Sequence, residues 1–361
     1  MKKFLASLFA CTCLFASLPA EAVTIFPSDN HIQYFGRWEK TKNDYSCGYG
    51  ATYIKANFYG TDILLYSAGD HSWWRYSIDG APFTKFKIED GKTVMAKGLE
   101  EGKHSLLLVR STEGEAGISH IYGFELNDGG YMMAPDKPKE RRLEFVGDSI
   151  SAGACNDGPQ DLPWYDKGDN DMAYGPQLAR MLDADYSVSA RSGEGVIHNY
   201  GEKPPYNEVH TADRYAWVNY SWVADNKNPK WDFSQFPVDA VLIELGTNDF
   251  SIDSPKPEHN DFVKGYVNLV LTIHQYNPEA KIICIEPLPS NIHKDAGNWI
   301  NEAVNKLNRN GYKDVYYIPV NNRKPLLSSE DYVGDDTHPT AEGSRKFAEF
   351  LKDRVAKILN W

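Results

Sequence analysis

From residue 136 onwards, five short apolar runs, "RLEFVG", "YSVSA", "VDAVLIELG", "KIICIEP" and "VYYIPV", alternate with segments of helical period. A chain written this way has few folds open to it. Strands that are apolar along their whole length leave no face for water, so they belong in a parallel sheet covered on both sides by the intervening helices. "DFVKGYVNLVLTIHQY" sets Phe262, Tyr266, Leu269, Val270 and Ile273 on one helical face, and "AEGSRKFAEFLKDRVAKIL" reads as a closing amphipathic helix. The expected fold of residues 136–361 is α/β, a parallel sheet flanked by helices.

The first half has a different rhythm. "HIQYFGRW", "ATYIKANFYG", "DILLYS", "WWRYSIDG", "FTKFKIEDG", "HSLLLVRST" and "ISHIYGFEL" are short strand candidates, and Asp79-Gly80 and Asp90-Gly91 sit between alternating apolar and polar residues as hairpin signals. Residues 23–135 are expected to form an antiparallel β-sandwich. The pattern breaks in "GGYMMAPDKPKERR", which places the boundary near residue 135. With 361 residues, 42% of them hydrophobic, the chain is long enough for two cores.

Ahead of both halves, Lys2 and Lys3 precede an apolar run from Phe4 to Pro19, and Ala20-Glu21-Ala22 offers small residues for cleavage. Residues 1–22 read as a signal peptide, so the mature chain is expected outside the cytoplasm, periplasmic or extracellular. The run is short for a membrane span and ends in a proline and a glutamate, so no span is expected in the mature protein. Cys11 follows Leu8-Phe9-Ala10, but bulky Phe9 suits lipid attachment poorly. A formal charge of −12 repels phosphate backbones, which sets nucleic acid aside as a partner and favours neutral glycans or esters. Past the leader only Cys47, Cys155 and Cys284 remain. This is an odd set with no disulfide framework: Cys284 reads as a buried thiol, and a Cys47–Cys155 pairing stays open.

Ligands of open parallel sheets sit beyond the carboxyl ends of the strands. Ser149 follows the first apolar run in "FVGDSISAG", "SARSGEG" (189–195) follows the second, and "GTND" (246–249) follows "AVLIEL"; "DDTHP" (335–339) precedes the last helix. A serine hydroxyl needs a base beside it to become a nucleophile, and His338 is that base. Asp335, three residues earlier, can curl back through a turn to hold the other imidazole nitrogen. The oxyanion formed by attack on an ester needs fixed donors, which the N–H groups of Ser149 and Gly193 and the Asn248 amide would supply. Each cluster alone is an ordinary turn; the four together at successive strand ends are not. Asp148 and Asp249 read as loop-holding acids. The chain has no G-x-S-x-G elbow, H-E-x-x-H pair or Walker loop, and the chemistry of this set calls for no cofactor and no metal. Asp335, Asp336 and His338 also have metal-ligand types, a weaker reading. The acidic loop 154–171 carries Trp164 and Tyr165, either as a wall of the substrate cleft or as anchors of a solvated loop.

"GDSIS", "SGEG", "GTND" and "DDTHP" resemble the four blocks of the SGNH (GDSL-like) hydrolases, over roughly residues 141–361. Within that superfamily "FYGTDI", "YSIDG", "SGEGVIHNY" and "HPTAEG" resemble carbohydrate esterase family 2, whose members join an N-terminal jelly-roll sandwich to an SGNH domain and deacetylate plant cell-wall polysaccharides. The resemblance implies Ser149 as nucleophile, His338 as base, and Gly193 and Asn248 as oxyanion donors. It also implies that Tyr200 packs against the sugar, whose apolar face suits an aromatic ring. Some members lack the acid and carry a tryptophan just before the histidine; Thr337 stands there in this chain, and Asp335 points to a full triad, with the adjacent Asp336 the other acid placed to hold the ring. The expected function is a secreted serine esterase acting on acetylated polysaccharide, with Trp164 and Tyr200 in the substrate cleft. The alternatives are a deacetylase of bacterial glycans or short-chain acyl esterase and, in a different class, a non-catalytic glycan-binding protein.

Overall fold

The computed structural model describes residues 21–69, 71–219, 228–321 and 324–361. All but the last two residues of the expected leader lie outside them. Among the described residues, no helix is long and apolar enough to cross a membrane.

The first half is a sandwich of two six-stranded antiparallel sheets. Strand Tyr53–Gly60 alternates buried and half-buried positions, as a strand with one face on a core must. Ile54, Phe58 and Leu108 of one sheet meet Leu65, Ile121 and Phe124 of the other in the core between them. Asp79 and Gly80 both take positive φ, and the Ala81 N–H donates to the Ile78 carbonyl, turning strand Trp73–Ile78 back onto Thr84–Lys87. Asp90-Gly91 does not close a hairpin. Strand Gly91–Ala96 pairs with Ile63–Ala68 in the opposite sheet, so the chain crosses between sheets here. Ile88, fully buried between the two, makes the crossing more favourable than a local turn.

The last antiparallel strand is Tyr131–Met133 and the first parallel one Arg141–Gly147. With it, five parallel strands form a sheet in the spatial order Ala184–Ala190, Arg141–Gly147, Ala240–Glu244, Lys281–Ile285 and Val315–Ile318. Every residue of Ala240–Glu244 is buried, because helices cover both faces. Helix His259–Tyr276 buries the five expected residues and also Val263. The closing helix Ala341–Leu359 starts at Thr340, whose hydroxyl accepts from the Gly343 N–H at 3.0 Å, and ends at Asn360 in the left-handed region. The strand order changes direction at Arg141–Gly147, so the crevice beyond the sheet opens between that strand and Ala240–Glu244.

The two halves share a core in which Phe35, Tyr53 and Val109 of the sandwich pack with Phe145 and Tyr186 of the parallel half. Cations of the sandwich meet acids of the parallel half around it: Arg37 with Glu144 at 2.8 Å, Lys55 with Asp185 at 2.7 Å, Lys87 with Asp166 at 2.8 Å, and Arg75 with Asp169 and Asp171. Cys47, Cys155 and Cys284 are buried and form no disulfide, so the Cys47–Cys155 bridge is not made.

Candidate active site

Ser149 lies one residue beyond Asp148, where strand Arg141–Gly147 has ended and the chain turns; the Ala152 N–H donates to the Asp148 carbonyl and the Ala154 N–H to the Ser149 carbonyl. The turn is tight because Gly147 has no room for a side chain: a Cβ there would lie 2.7 Å from the Glu244 carbonyl oxygen of the neighbouring strand. Asp148 accepts from the Ile150 N–H at 3.0 Å, bracing the turn from below. Burial pushes its carboxyl above the usual range, and burial with the nearby Asp148 does the same to Glu244. Neither reaches the cleft.

His338 faces the serine from the turn ahead of the closing helix, with Nε2 2.9 Å from Ser149 Oγ and Nδ1 2.6 Å from Asp335 Oδ2. Asp335 also accepts the N–H groups of Thr337 and His338, at 2.9 and 2.8 Å, through its other oxygen. Partial burial raises the Asp335 carboxyl, but the bonds from His338 and Thr337 outweigh it and bring it down to about 2. An ionised Asp335 accepts a hydrogen bond from the Nδ1–H, which keeps the proton on Nδ1 and leaves Nε2 to accept from the serine hydroxyl. Asp336, at positive φ, does not share this role, which answers which of the adjacent acids holds the ring. With one ring nitrogen on Asp335 and the other on Ser149, His338 is arranged for proton transfer rather than metal ligation.

Gly193 sits at φ +77 across the crevice from the serine, a conformation that favours glycine. Its loop is tied down at many points. Asp249 accepts the N–H groups of Val196, Ile197 and His198 at 2.9–3.0 Å, and the Gly195 N–H donates to Asn199 Oδ1 at 3.0 Å. The Asn248 amide donates to the Glu194 carbonyl at 2.7 Å, which fixes its orientation and leaves its second N–H for a ligand. Asp249 is thus a loop-holding acid as expected, though the loop it holds follows strand Ala184–Ala190, two places away in the sheet.

The seven residues expected to act on or bind the substrate, Ser149, His338, Asp335, Gly193, Asn248, Tyr200 and Trp164, line one cleft of about 680 Å³, together with Tyr165 of the acidic loop. Tyr200 is 59% exposed at its mouth, and Trp164 is 39% exposed with its ring edge-on to His338 at 5.4 Å between centroids. The loop tryptophan therefore flanks the histidine from outside the "DDTHP" segment, where Thr337 brings no ring. The cleft also holds residues the sequence did not single out, among them Arg191, Asn199, Glu208 and Ile252. Glu113 reaches its back wall from the sandwich: it accepts the Ser192 N–H and hydroxyl at 2.8 and 2.7 Å and the Trp164 Nε1–H at 3.0 Å. No motif marks it, because its partners lie far along the chain.

Residues 145–346 match the GDSL-like Lipase/Acylhydrolase family, and residues 34–135 match Carbohydrate esterase 2 N-terminal. The chain is 32% identical to Cellulase/esterase CelE of Acetivibrio thermocellus over 339 residues, covering 91% of this chain but only 40% of that protein. It is 28% identical to an acetylxylan esterase / glucomannan deacetylase of Cellvibrio japonicus, covering 85% of this chain and 84% of the relative. In structure it resembles a family two carbohydrate esterase from Clostridium thermocellum in complex with cellohexaose, with a TM-score of 0.79, 30% identity and coverage of 91% of this chain and 99% of that one. With the serine, glycine, asparagine and histidine blocks meeting in one cleft behind such a sandwich, this chain belongs to the GDSL-like lipase and acylhydrolase family, in the company of the carbohydrate esterases of family 2.

Proposed function

We propose that the protein is an exported serine esterase that removes O-acetyl groups from polysaccharides such as xylan or glucomannan. The observation that carries this reading is the hydrogen-bonded line Ser149–His338–Asp335 on the floor of a cleft walled by aromatic rings. Ser149 Oγ attacks the acetyl carbonyl while His338 Nε2 takes its proton, and Asp335 stabilises the imidazolium that forms. The oxyanion is held by the N–H groups of Ser149 and Gly193 and by the free N–H of Asn248. As the intermediate collapses, the ester C–O bond breaks and His338 gives its proton to the departing sugar oxygen. Water, deprotonated by His338, then cleaves the acetyl-enzyme, so that acetate leaves and Ser149 Oγ regains its proton.

Trp164 and Tyr200 offer ring faces and edges at the mouth, suited to the apolar face of a pyranose. The reading divides the chain into a leader to residue 22, a sandwich to residue 135 and a catalytic unit from 136. Its support comes from the similarity to proteins named as acetylxylan esterase / glucomannan deacetylase and from the fit of the cleft to that chemistry.

The test is acetate release from acetylated xylan and acetylated glucomannan by the purified protein beside Ser149→Ala. Release lost in the variant is expected. Cleavage of a small aryl acetate without release from either polymer would retain the esterase and remove the polysaccharide, and silence on all three substrates would overturn the reading.

A further inference from the structure

Glu113 is the point at which the antiparallel half enters the cleft. It follows strand Gly102–Arg110 on the turn toward Ser119–Leu126 and is only 5% exposed. The backbone around it is fixed from both sides. The N–H groups of Ser111 and Thr112 donate to the Trp73 carbonyl within the sandwich, and the Asn170 N–H of the acidic loop donates to the Ser111 carbonyl at 2.7 Å. From this base the carboxylate spans two walls of the cleft. Oε2 takes the Ser192 N–H, while Oε1 takes the Ser192 hydroxyl and the Trp164 indole N–H.

The partners give these bonds their consequence. Ser192 immediately precedes Gly193, so holding both its N–H and its hydroxyl limits rotation of the peptide that carries the Gly193 N–H. Trp164 stands edge-on to His338, so fixing its indole fixes the ring against the base. A carboxylate accepts at both oxygens and donates at neither, so it can satisfy all three donors together. A glutamine would turn an NH₂ group toward one of them, and an aspartate is one methylene shorter. An oxyanion donor is effective only when it is already aimed at the position the charge will occupy.

We propose that Glu113 is a positioning residue of the esterase reaction: through Ser192 it aims the Gly193 N–H at the oxyanion, and through Trp164 it holds the aromatic wall against His338. The sandwich thereby contributes to transition-state stabilisation. The inference rests on the esterase reading above. Because the bonds act on groups that meet developing charge, their loss should appear in kcat and not in KM.

The experiment compares wild type, Glu113→Gln, Glu113→Ala and Ser192→Ala on an aryl acetate, with thermal unfolding measured for each. The expected result for folded Glu113→Gln and Glu113→Ala is a kcat on the order of 10–100-fold lower, short of the 10²–10³ lost with a direct donor, with KM within about twofold. Ser192→Ala should be several-fold slower, and the Glu113→Gln/Ser192→Ala pair should lose less than the product of the single losses, because the two act through one contact. Unchanged kcat in folded Glu113 variants, or a raised KM at constant kcat, would overturn the proposal. If the Glu113 variants do not fold, Ser192→Ala decides alone, and wild-type kcat in that variant overturns it. A wild type that neither cleaves the ester nor is labelled at Ser149 by a serine-directed inhibitor would instead remove the underlying reading.

Discussion

Asp335 shows how one side chain sets both chemistry and local folding. It fixes the His338 ring through one oxygen and closes the Thr337–His338 turn through the other. Replacing it with asparagine keeps an acceptor but removes the charge that stabilises the imidazolium. Asp335→Asn should therefore lower kcat on the order of 10²–10⁴, nearer the lower figure because the carboxylate is partly solvated. With its carboxyl held down to about 2 against an ordinary 3.8, this group stabilises the fold above the unfolded value, and that contribution disappears as pH falls through 4 toward 2. The gap in unfolding temperature between wild type and Asp335→Ala should accordingly be widest near neutrality and close toward pH 2; a gap independent of pH would contradict the assignment. Asn248→Ala, which removes the oriented amide, should cost about 10²–10³ in kcat with little change in KM.

At the scale of elements, the glycine loop 193–198 depends on the end of strand Ala240–Glu244, two places away in the sheet. Asp249 is fully buried and takes three successive N–H groups of that loop. Asp249→Ala leaves them unpaired and should destabilise the protein by about 3 kcal/mol or more, with kcat falling as the Gly193 N–H loses its aim. Asp249→Asn, keeping one acceptor oxygen, should fall between the two in denaturant unfolding. Gly195 reinforces the dependence, since a Cβ there would run into the His198 carbonyl. The helices behaved more simply. The 3.6-residue period in 259–276 was enough to place its buried face, because that face meets one continuous apolar layer. Asp90-Gly91 went the other way: a local hairpin signal lost to the burial of Ile88 between two sheets.

At the scale of the whole molecule, the sandwich and the parallel half are joined by buried charge as well as apolar contact. Arg37, with no exposed surface, bonds Glu144 of the first parallel strand and the Tyr215 and Trp217 carbonyls. Arg37→Ala would strand the Glu144 carboxylate, and should cost about 3–5 kcal/mol. Since the joint includes part of the main core, calorimetry should show both halves unfolding in one transition; two separated transitions would refute the shared core. The sequence by itself determined the two fold classes and singled out the serine, histidine, glycine and asparagine that meet in the cleft, because apolar periodicity and strand-end motifs are local and survive in one dimension. Only the tertiary structure decided that Asp335 and not Asp336 holds the histidine, that Trp164 stands beside it, and that Glu113 and Arg37 reach across from the sandwich. These depend on turn geometry and on contacts between residues far apart in the chain, such as the 79 positions between Glu113 and Ser192. A hydrogen bond of that span leaves no periodic trace, since its two ends are brought together only when the cores on either side have packed.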